Sequence, residues 1–340
     1  MGYVGNSVSN WLCTVNNTMK MREFFYLPCL VFVLFTDGST LAKTGNWKSL
    51  PSLHTGRSEI SAVVAGNRIV VAGGIGRFRT LKSCEIYDPG GDNWSKCPDL
   101  PYPVHHLAMA ADGASVYAAG GYTNLRFSHD DKLVLRQMDI DAAQWRSIGV
   151  LPEPVGEHAL VHHSDHLYLL GGRTPNGDTT SVWRYSLLNG DWLKVHDMPR
   201  AKHSFSALLI GDKIWTIGGR SEELGSSIRS IEIYSIAGNT WRDGPELPVG
   251  GGGLFAAYLN GYVHIIGGES FNPNRVYDHH LIYDIAEKSW ATAVRPSVPR
   301  HGGAMVVIGQ DLYLIGGATK AGLSTIYSTI GSVEVMSVVQ

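Results

Sequence analysis

Arginine and histidine side chains recur along this chain, each shortly after a tryptophan or a pair of glycines. Arginine binds a carboxylate or phosphate through two parallel hydrogen bonds, and clustered cations attract anions into a cleft. If these side chains share one opening, they predict a binding site for an acidic sugar or an acidic protein segment. The alternative is that each arginine is structural and bonds to a neighbouring segment. The candidate ligand-binding residues are Arg57, Arg77, His106, Arg173, His203, Arg220, Arg300 and His301.

Proton transfer is the second chemistry that the sequence suggests, with Glu269 and His158 as the best candidates. An epimerase or mutarotase needs a base and an acid on either side of one carbon or ring oxygen. Glu269 directly follows a glycine pair, and Arg275 comes six residues later. Glu269 and Arg275 could equally form a simple ion pair, so both interpretations stay open.

Six copies of one pattern must position these side chains. A glycine pair ends a short apolar run in each copy, a tryptophan recurs in step, and both series are spaced 47, 51, 47, 49 and 49 residues apart. A period near 50 residues built from short strands predicts four-stranded propeller blades. The pattern residues are the glycine pairs at 73–74, 120–121, 171–172, 218–219, 267–268 and 316–317, and Trp47, Trp94, Trp145, Trp192, Trp241 and Trp290.

The phase of the repeat predicts how the ring closes. Trp47 precedes the first complete copy, whereas the final strand around Val335 has no tryptophan strand after it. Pairing these two segments removes a free sheet edge, which propellers avoid. We therefore predict an all-β fold in which residues 43–340 form a single six-bladed propeller domain.

The long loops are expected on one face of this propeller. The loop between the second and third strands and the connection to the next blade emerge at the same end, and the first of these runs 13 to 19 residues. Binding sites concentrate in such loops on a rigid scaffold. Because the candidate arginines and histidines fall there, the sequence predicts a locally positive mouth.

Composition excludes several functions. The 340 residues carry a net charge of −2 with no basic stripe, which argues against nucleic-acid binding. No apolar stretch reaches the ~20 residues of a membrane-spanning helix. His162, His163 and His166 cluster without a set of carboxylates, and no nucleotide loop or activated nucleophile appears. We therefore predict no metal and no cofactor.

The N-terminal segment is interpreted as a secretory signal peptide over residues 21–42. Met21 and Arg22 precede the apolar run 24–35, and small residues follow as far as Ala42. Residues 1–20 are then upstream translation from a wrongly chosen start, and the protein is expected to be periplasmic or secreted. A short membrane anchor or a buried segment is the alternative.

Cys84 and Cys97 are expected to face each other across a hairpin. If Tyr87 lies opposite Trp94, then Cys84 lies opposite Cys97, at a distance that a disulfide spans. An oxidising compartment permits that bond. Two buried free thiols are the alternative.

The repeat pattern resembles the kelch family over residues 44–340. The resemblance rests on the glycine pairs, the six tryptophans and the aromatic residues Tyr87, Tyr185, Tyr234 and Tyr283, whereas Met138 and Met336 replace the tyrosine in two copies. In outline the chain is similar to secreted bacterial kelch proteins of the N-acetylneuraminate epimerase type. That resemblance implies a catalytic pair formed by Glu269 and Arg275.

Two functional hypotheses follow. The first is an exported binding module whose long-loop face captures an acidic carbohydrate or protein partner. The second is a sugar epimerase or mutarotase that uses Glu269 and Arg275. Propellers host both classes of function, so the fold alone does not choose between them.

Overall fold

The structure, a computed structural model, describes residues 43–129 and 134–339, so the predicted signal peptide and the segment before it lie outside the described residues. The first half contributes β1 (Lys43–Thr44), β2 (Lys48–Leu50), β3 (Ser61–Ala65), β4 (Arg68–Ala72), β5 (Ile75–Gly76), β6 (Arg79–Thr80), β7 (Cys84–Asp88), β8 (Asn93–Cys97), β9 (Ala108–Asp112), β10 (Ser115–Ala119), β11 (Val134–Asp139), β12 (Arg146–Val150), β13 (Ala159–His163), β14 (His166–Leu170), β15 (Arg173–Thr174), β16 (Gly177–Asp178), β17 (Val182–Ser186) and β18 (Trp192–Lys194). The second half contributes β19 (Ser206–Ile210), β20 (Lys213–Ile217), β21 (Arg220–Ser221), β22 (Ser226–Ser227), β23 (Ile231–Ser235), β24 (Thr240–Asp243), β25 (Phe255–Leu259), β26 (Tyr262–Ile266), β27 (Glu269–Phe271), β28 (Asn274–Val276), β29 (His280–Asp284), β30 (Ser289–Thr292), β31 (Ala304–Ile308), β32 (Asp311–Ile315), the 3-10 helix η1 (Gly322–Tyr327) and β33 (Val333–Val339).

Six antiparallel sheets form the six blades, which confirms the predicted all-β propeller. Five sheets have four strands, in the orders β3-β4-β7-β8, β9-β10-β11-β12, β13-β14-β17-β18, β19-β20-β23-β24 and β25-β26-β29-β30. In four blades the long loop after the second strand carries a further two-stranded hairpin, namely β5-β6, β15-β16, β21-β22 and β27-β28.

The two ends of the chain close the ring as predicted. The sixth blade takes β31, β32 and β33 from the C-terminal end and β1 and β2 from the N-terminal end. Lys48 lies opposite Val335, and Lys43 lies opposite Val339, in antiparallel register. Because β2 fills the outer position of this blade, the last repeat is completed by the first strands of the domain.

The glycine pairs lie where neighbouring blades approach each other most closely. Gly74 has φ 98°, a backbone conformation that L side chains rarely adopt. A Cβ on Gly73 would lie 2.4 Å from the carbonyl oxygen of Val104 in the next blade. The recurring pair is therefore required by contact between blades and does not by itself indicate ligand binding.

The tyrosine and tryptophan of each repeat pack together inside the blades. Tyr87 lies opposite Trp94, with ring centroids 5.2 Å apart. The Trp94 indole N–H donates to the carbonyl oxygen of Pro51, at 2.8 Å. The tryptophan thereby links its own blade to the preceding one, which explains why it recurs with the period of the repeat.

Cys84 and Cys97 lie directly opposite each other on β7 and β8, which confirms the predicted register. Their Cα atoms are 5.0 Å apart, and the structure joins the two residues by a disulfide. Both side chains are buried in the core between the first two blades. The bond therefore ties the two outer strands of the first blade together.

Candidate functional site

A closed ring of backbone hydrogen bonds surrounds the propeller axis at the end where the long loops emerge. Each blade contributes the residue fourteen positions before its glycine pair, and all six have φ between 52° and 62°. Five of the six steps around the ring are alike: the N–H of one ring residue donates to the carbonyl oxygen of the ring residue in the preceding blade. In the sixth step, the N–H of Ile60 donates to the carbonyl oxygen of Gly302. We call these residues the axial ring: Glu59, His106, Glu157, Ser204, Gly253 and Gly302.

The left-handed backbone of the axial ring is unusual for residues other than glycine, and such strain is a recognised mark of functional positions. The four ring residues with side chains, from Glu59 to Ser204, are consecutive around the axis, whereas Gly253 and Gly302 leave the other side open. A Cβ on Gly302 would lie 2.4 Å from Oε1 of Glu59. The absence of a side chain at Gly302 therefore leaves room for the carboxylate of Glu59.

Above the axial ring lies a cavity of about 450 Å³, which we call the mouth pocket. Its floor is polar and includes Glu59, His106 and Glu157. Its walls are largely apolar, and the long loops supply them: Ile75, Leu125, Phe127, Phe271, Leu323 and Ile326. A cavity of this size with a polar floor and apolar walls has the properties of a ligand-binding site.

Glu59 and His106 form a buried charged pair in the floor. The Nε2 atom of His106 lies 2.9 Å from Oε2 of Glu59, and its Nδ1 lies 2.6 Å from Nδ1 of His105. The other nitrogen of His105 lies 2.9 Å from the carbonyl oxygen of Asn124 and must donate to it. In a neutral His105 the Nδ1 is therefore an acceptor, so both nitrogens of His106 donate and His106 is an imidazolium.

The pKa values agree with this assignment of protons. Burial and the adjacent charge of His106 lower the pKa of His105 to about 3. Burial also acts to lower the pKa of His106, but Glu59 and Glu157 outweigh it and raise the pKa. Burial alone would raise the pKa of Glu59, but His106, His301 and Arg220 lower it to about 2. Glu59 is therefore ionised throughout the physiological pH range.

Glu157 occupies the next position of the floor and is fully bonded. The hydroxyl of Tyr122 donates to its Oε1 at 3.0 Å, and Ser204 donates to its Oε2. His203 lies 3.7 Å from the same carboxylate, and its other nitrogen lies 2.9 Å from Oδ1 of Asp178. This chain of contacts joins the floor to the loop of the third blade.

Glu269 lies in the mouth pocket but does not form the predicted pair with Arg275. Its carboxylate accepts from Arg220 at 2.6 Å and from the N–H of Gly322 at 2.8 Å. Arg275 lies directly across the β27-β28 hairpin from Ser270, and side chains alternate between the two faces of a strand. Its guanidinium stacks over Tyr277, 4.5 Å from the ring centroid, on the opposite face from Glu269. The expected catalytic pair is therefore wrong.

Arg57 and Arg300, predicted to bind ligand, are structural instead. Arg57 is fully buried, donates to the carbonyl oxygens of Gly73 and Ser83 at 3.0 and 2.8 Å, and forms an ion pair with Glu85. Arg300 is also fully buried and forms the equivalent pair with Glu334. Because every donor on the Arg57 guanidinium points into the blade, this side chain cannot reach a ligand in the mouth.

His158 lies in the apolar space between two blades and not at a site of proton transfer. A Cβ on Gly120 would lie 2.6 Å from the imidazole ring of His158. In other blades, the position equivalent to His158 is held by the buried apolar residues Ile60, Leu107 and Leu254. Neither ring nitrogen makes a well-formed hydrogen bond. Burial lowers the pKa of His158 to about 3, and the backbone of Ala119 only partly offsets this. A histidine that stays neutral in an apolar contact is a poor acid or base at neutral pH.

Replacing His158 with leucine is expected to remove part of the acid sensitivity of the fold. Since the pKa falls from 6.5 in the unfolded chain to about 3 in the folded one, the unfolded state binds the extra proton. The stability due to neutral His158 is complete above pH 6.5 and is lost as the pH falls towards 3. Between pH 7.5 and 5, wild type should lose about 2 kcal/mol more than the variant, measured by urea unfolding at each pH. His196→Gln, at an exposed position, is the control; equal pH profiles for wild type and His158→Leu would contradict the assignment.

The predicted excess of positive charge at the mouth is also wrong. His106, Arg173, His203 and Arg220 do line the mouth pocket and His301 lies beneath it, whereas Arg77 is exposed beside Phe78 and is not among the residues lining the pocket. Three cations, Arg173, Arg220 and the imidazolium of His106, line the pocket together with three carboxylates, and two further carboxylates pair with its lining residues. The carboxylates that line the pocket or pair with its residues are Glu59, Glu157, Asp178, Glu222 and Glu269.

In residues 43–129 and 134–339, no group of three or more histidine, cysteine, aspartate or glutamate side chains is arranged to hold a metal ion. In the same ranges, no helix is long and apolar enough to cross a membrane.

Comparison with known proteins identifies the repeats. A profile described as the KLHDC2/KLHL20/DRC7 Kelch-repeats domain matches residues 105–317, and a Kelch motif profile matches residues 56–101. Kelch-like protein terF of Aspergillus terreus is 22% identical over 301 residues, covering 82% of this chain and 66% of the relative. Alpha-scruin of Limulus polyphemus is 28% identical over 188 residues, covering 52% of this chain and 20% of the relative. Kelch repeat and BTB domain-containing protein 12 of Danio rerio is 27% identical over 208 residues, covering 55% and 33%.

These fungal and animal relatives do not support the narrower resemblance to bacterial epimerases. The chain spans between 20% and 66% of the length of the three relatives, so their whole activities do not transfer to it. The Kelch-repeats profile covers more than half of the 340 residues. The chain therefore belongs to the kelch-repeat family.

Proposed function

We propose that this chain is a protein-interaction module that binds its partner on the long-loop face. The observation that supports this most directly is a set of exposed apolar side chains around the mouth pocket. They are between 41% and 86% exposed, and all come from the loops between the second and third strands. We call them the crown: Phe78, Phe127, Leu224, Phe271, Leu323 and Tyr327.

Exposed apolar side chains concentrated on one face are typical of an interaction surface. Single exposed leucines are common on any protein, but the crown places large rings and leucines from five of the six blades around one opening. Aromatic residues are also enriched among those that contribute most to binding energy. The rigid blades hold these loops in place, which reduces the ordering cost on binding.

Acidic ligands and epimerase chemistry are not part of this proposal. Cations do not outnumber carboxylates among the residues that line the mouth pocket, and Arg275 faces away from Glu269. Each argument for those functions depended on a positive mouth or on that pair. We retain export as a proposal, which the disulfide of Cys84 with Cys97 and the apolar segment 24–35 support.

Site-specific photocrosslinking in the organism of origin tests the interaction face. A crosslinking amino acid at Phe271 in the crown should capture a defined partner, whereas the same group at Leu188 should not. Leu188 is a matched control because it is exposed but lies in the turn between β17 and β18, at the other end of the propeller. Adding Leu323→Asp to the Phe271 probe should reduce capture about tenfold or more, since a charge within the crown opposes apolar contact.

Capture of the same proteins from both ends, or only from Leu188, would contradict the proposal. The captured protein should then bind the purified propeller directly, and Leu323→Asp should weaken that binding. Leu323 is 86% exposed, so the substitution does not disturb the core.

A further inference from the structure

We propose that the mouth pocket receives an uncharged, apolar side chain of the partner protein and excludes charged side chains. This inference rests on the proposed function, because the pocket opens inside the crown. The number of charges favours neither a cation nor an anion, since three cations and three carboxylates line the pocket. The pairing of these charges and the apolar walls are the reasons for the proposal.

The two ion pairs of the floor are complete within the protein. Nε2 of His106 lies 2.9 Å from Oε2 of Glu59, and Arg220 donates to Oε1 of Glu269 at 2.6 Å. The guanidinium of Arg220 also stacks over Phe271, 4.1 Å from the ring centroid. An incoming carboxylate or ammonium group would therefore have to displace an existing partner.

The remaining ionisable side chains that line the pocket also have partners. Arg173 forms an ion pair with Glu222. Glu157 accepts hydrogen bonds on both of its oxygens, and His203 lies 2.9 Å from Oδ1 of Asp178. The described residues therefore offer the pocket no charged side chain that lacks a partner.

Two nitrogen atoms near the floor lack a hydrogen-bond partner among the described residues, but they are closed to a ligand. They are Nε of Arg220 and Nδ1 of His301, and both atoms are buried. A ligand in the pocket contacts only atoms that solvent can reach. Neither nitrogen therefore provides a hydrogen bond that would select a charged or polar group.

The walls supply the favourable contact. Leu125, Phe127, Phe271, Leu323 and Ile326 line the cavity of about 450 Å³. An apolar side chain packs on these walls and displaces no ion pair, whereas a charged one loses its hydration without gaining a free partner. Apolar anchors buried in a pocket at the centre of an interface commonly dominate binding energy.

Four small probes test the inference by NMR titration of the purified propeller. Nα-acetyl-phenylalanine amide and Nα-acetyl-leucine amide should bind at least about tenfold more tightly than Nα-acetyl-arginine amide and Nα-acetyl-glutamate amide. Leu323→Asp should weaken binding of the phenylalanine probe about tenfold, because it places a charge in the wall. Leu224→Asp is the matched control, since Leu224 is an exposed crown residue that is not among those lining the pocket.

A variant that breaks one pair tests whether pairing excludes charged ligands. Glu269→Gln removes the carboxylate that Arg220 faces and keeps the size of the side chain. The glutamate probe should then bind at least about tenfold more tightly than it binds wild type, because Arg220 is free to take a carboxylate. Binding of the phenylalanine probe to the same variant shows that the pocket is folded. Glu223→Gln, at an exposed loop position, should leave all four affinities unchanged.

The inference is overturned if either charged probe binds wild type as tightly as the phenylalanine probe does. It is also overturned if Leu224→Asp weakens that probe as much as Leu323→Asp, or if a folded Glu269→Gln variant gains no affinity for glutamate. Failure of all four probes with crosslinking still specific to Phe271 would reject this inference and leave the interaction face supported.

Discussion

Glu85→Leu is expected to lower the free energy of unfolding by roughly 3–5 kcal/mol, the cost of leaving a buried charge without its partner. Glu85 is 3% exposed, and Arg57 beneath it is fully buried. The carboxylate also accepts from the backbone N–H of His54 at 2.7 Å. The variant therefore leaves both a buried guanidinium and a blade connection without their hydrogen bonds. Urea unfolding monitored by tryptophan fluorescence measures the loss.

A double variant separates the cost of leaving the Arg57 charge unpaired from the cost of losing the other contacts of Glu85. Arg57→Met with Glu85→Leu should be more stable than Glu85→Leu alone, because no unpaired charge remains buried. Arg68→Gln is the control, since its pair with Asp141 is solvent-exposed and worth less than about 1 kcal/mol. A loss below that value for Glu85→Leu would show that Arg57 does not depend on this pair and would reopen its assignment as a ligand-binding residue.

Replacing Cys84 and Cys97 with alanine is expected to lower the free energy of unfolding by about 3 kcal/mol. The bond closes a loop with a sequence separation of 13, and a loop of that size restricts the unfolded chain by about this amount. The two alanines leave the hairpin register unchanged, since β7 and β8 pair over five positions. Urea unfolding with and without reductant makes the comparison.

Reductant should lower the stability of wild type towards that of the double alanine variant and leave the variant unchanged. Mass spectrometry after alkylation of unreduced protein should show no modified cysteine at positions 84 and 97. Two alkylated thiols in protein from its native compartment would contradict both the bond and the proposed export.

The repeat carried a second signal that identifies the structural arginines from sequence. A cation sixteen residues before the glycine pair occurs in three copies, and in each the residue two before the aromatic position is glutamate. The structure shows these as the pairs Arg57 with Glu85, Lys202 with Glu232 and Arg300 with Glu334. In the other three copies the first position is Val104, Val155 or Gly251, and the glutamate is absent. Comparing the copies column by column would therefore have removed Arg57 and Arg300 from the candidate site.

The axial ring shows what such a comparison cannot supply. Its members share a column of the repeat but differ in type, from Glu59 to Ser204 to Gly302, so no residue pattern marks them. Contacts at the axis also cross between blades: His301 meets Glu59 of the ring, and beside the ring Arg220 meets Glu269 from the next repeat. Which charges pair at the axis depends on the closed ring, because residues far apart in sequence meet only there.

The sequence by itself determined the number of blades, their strand order, the closure by β2 and β33 and the register of Cys84 with Cys97. These features follow from the spacing of the glycine pairs, tryptophans and cysteines along the chain. In a repeated sequence, that spacing sets the length of each strand, the position of each turn and the pairing of the strands. The tertiary structure alone decided which charged side chains meet at the mouth and which partners they take there. The direction of a side chain at a blade connection depends on a left-handed backbone at the axis and on the neighbour that receives it, and neither is encoded in the local pattern.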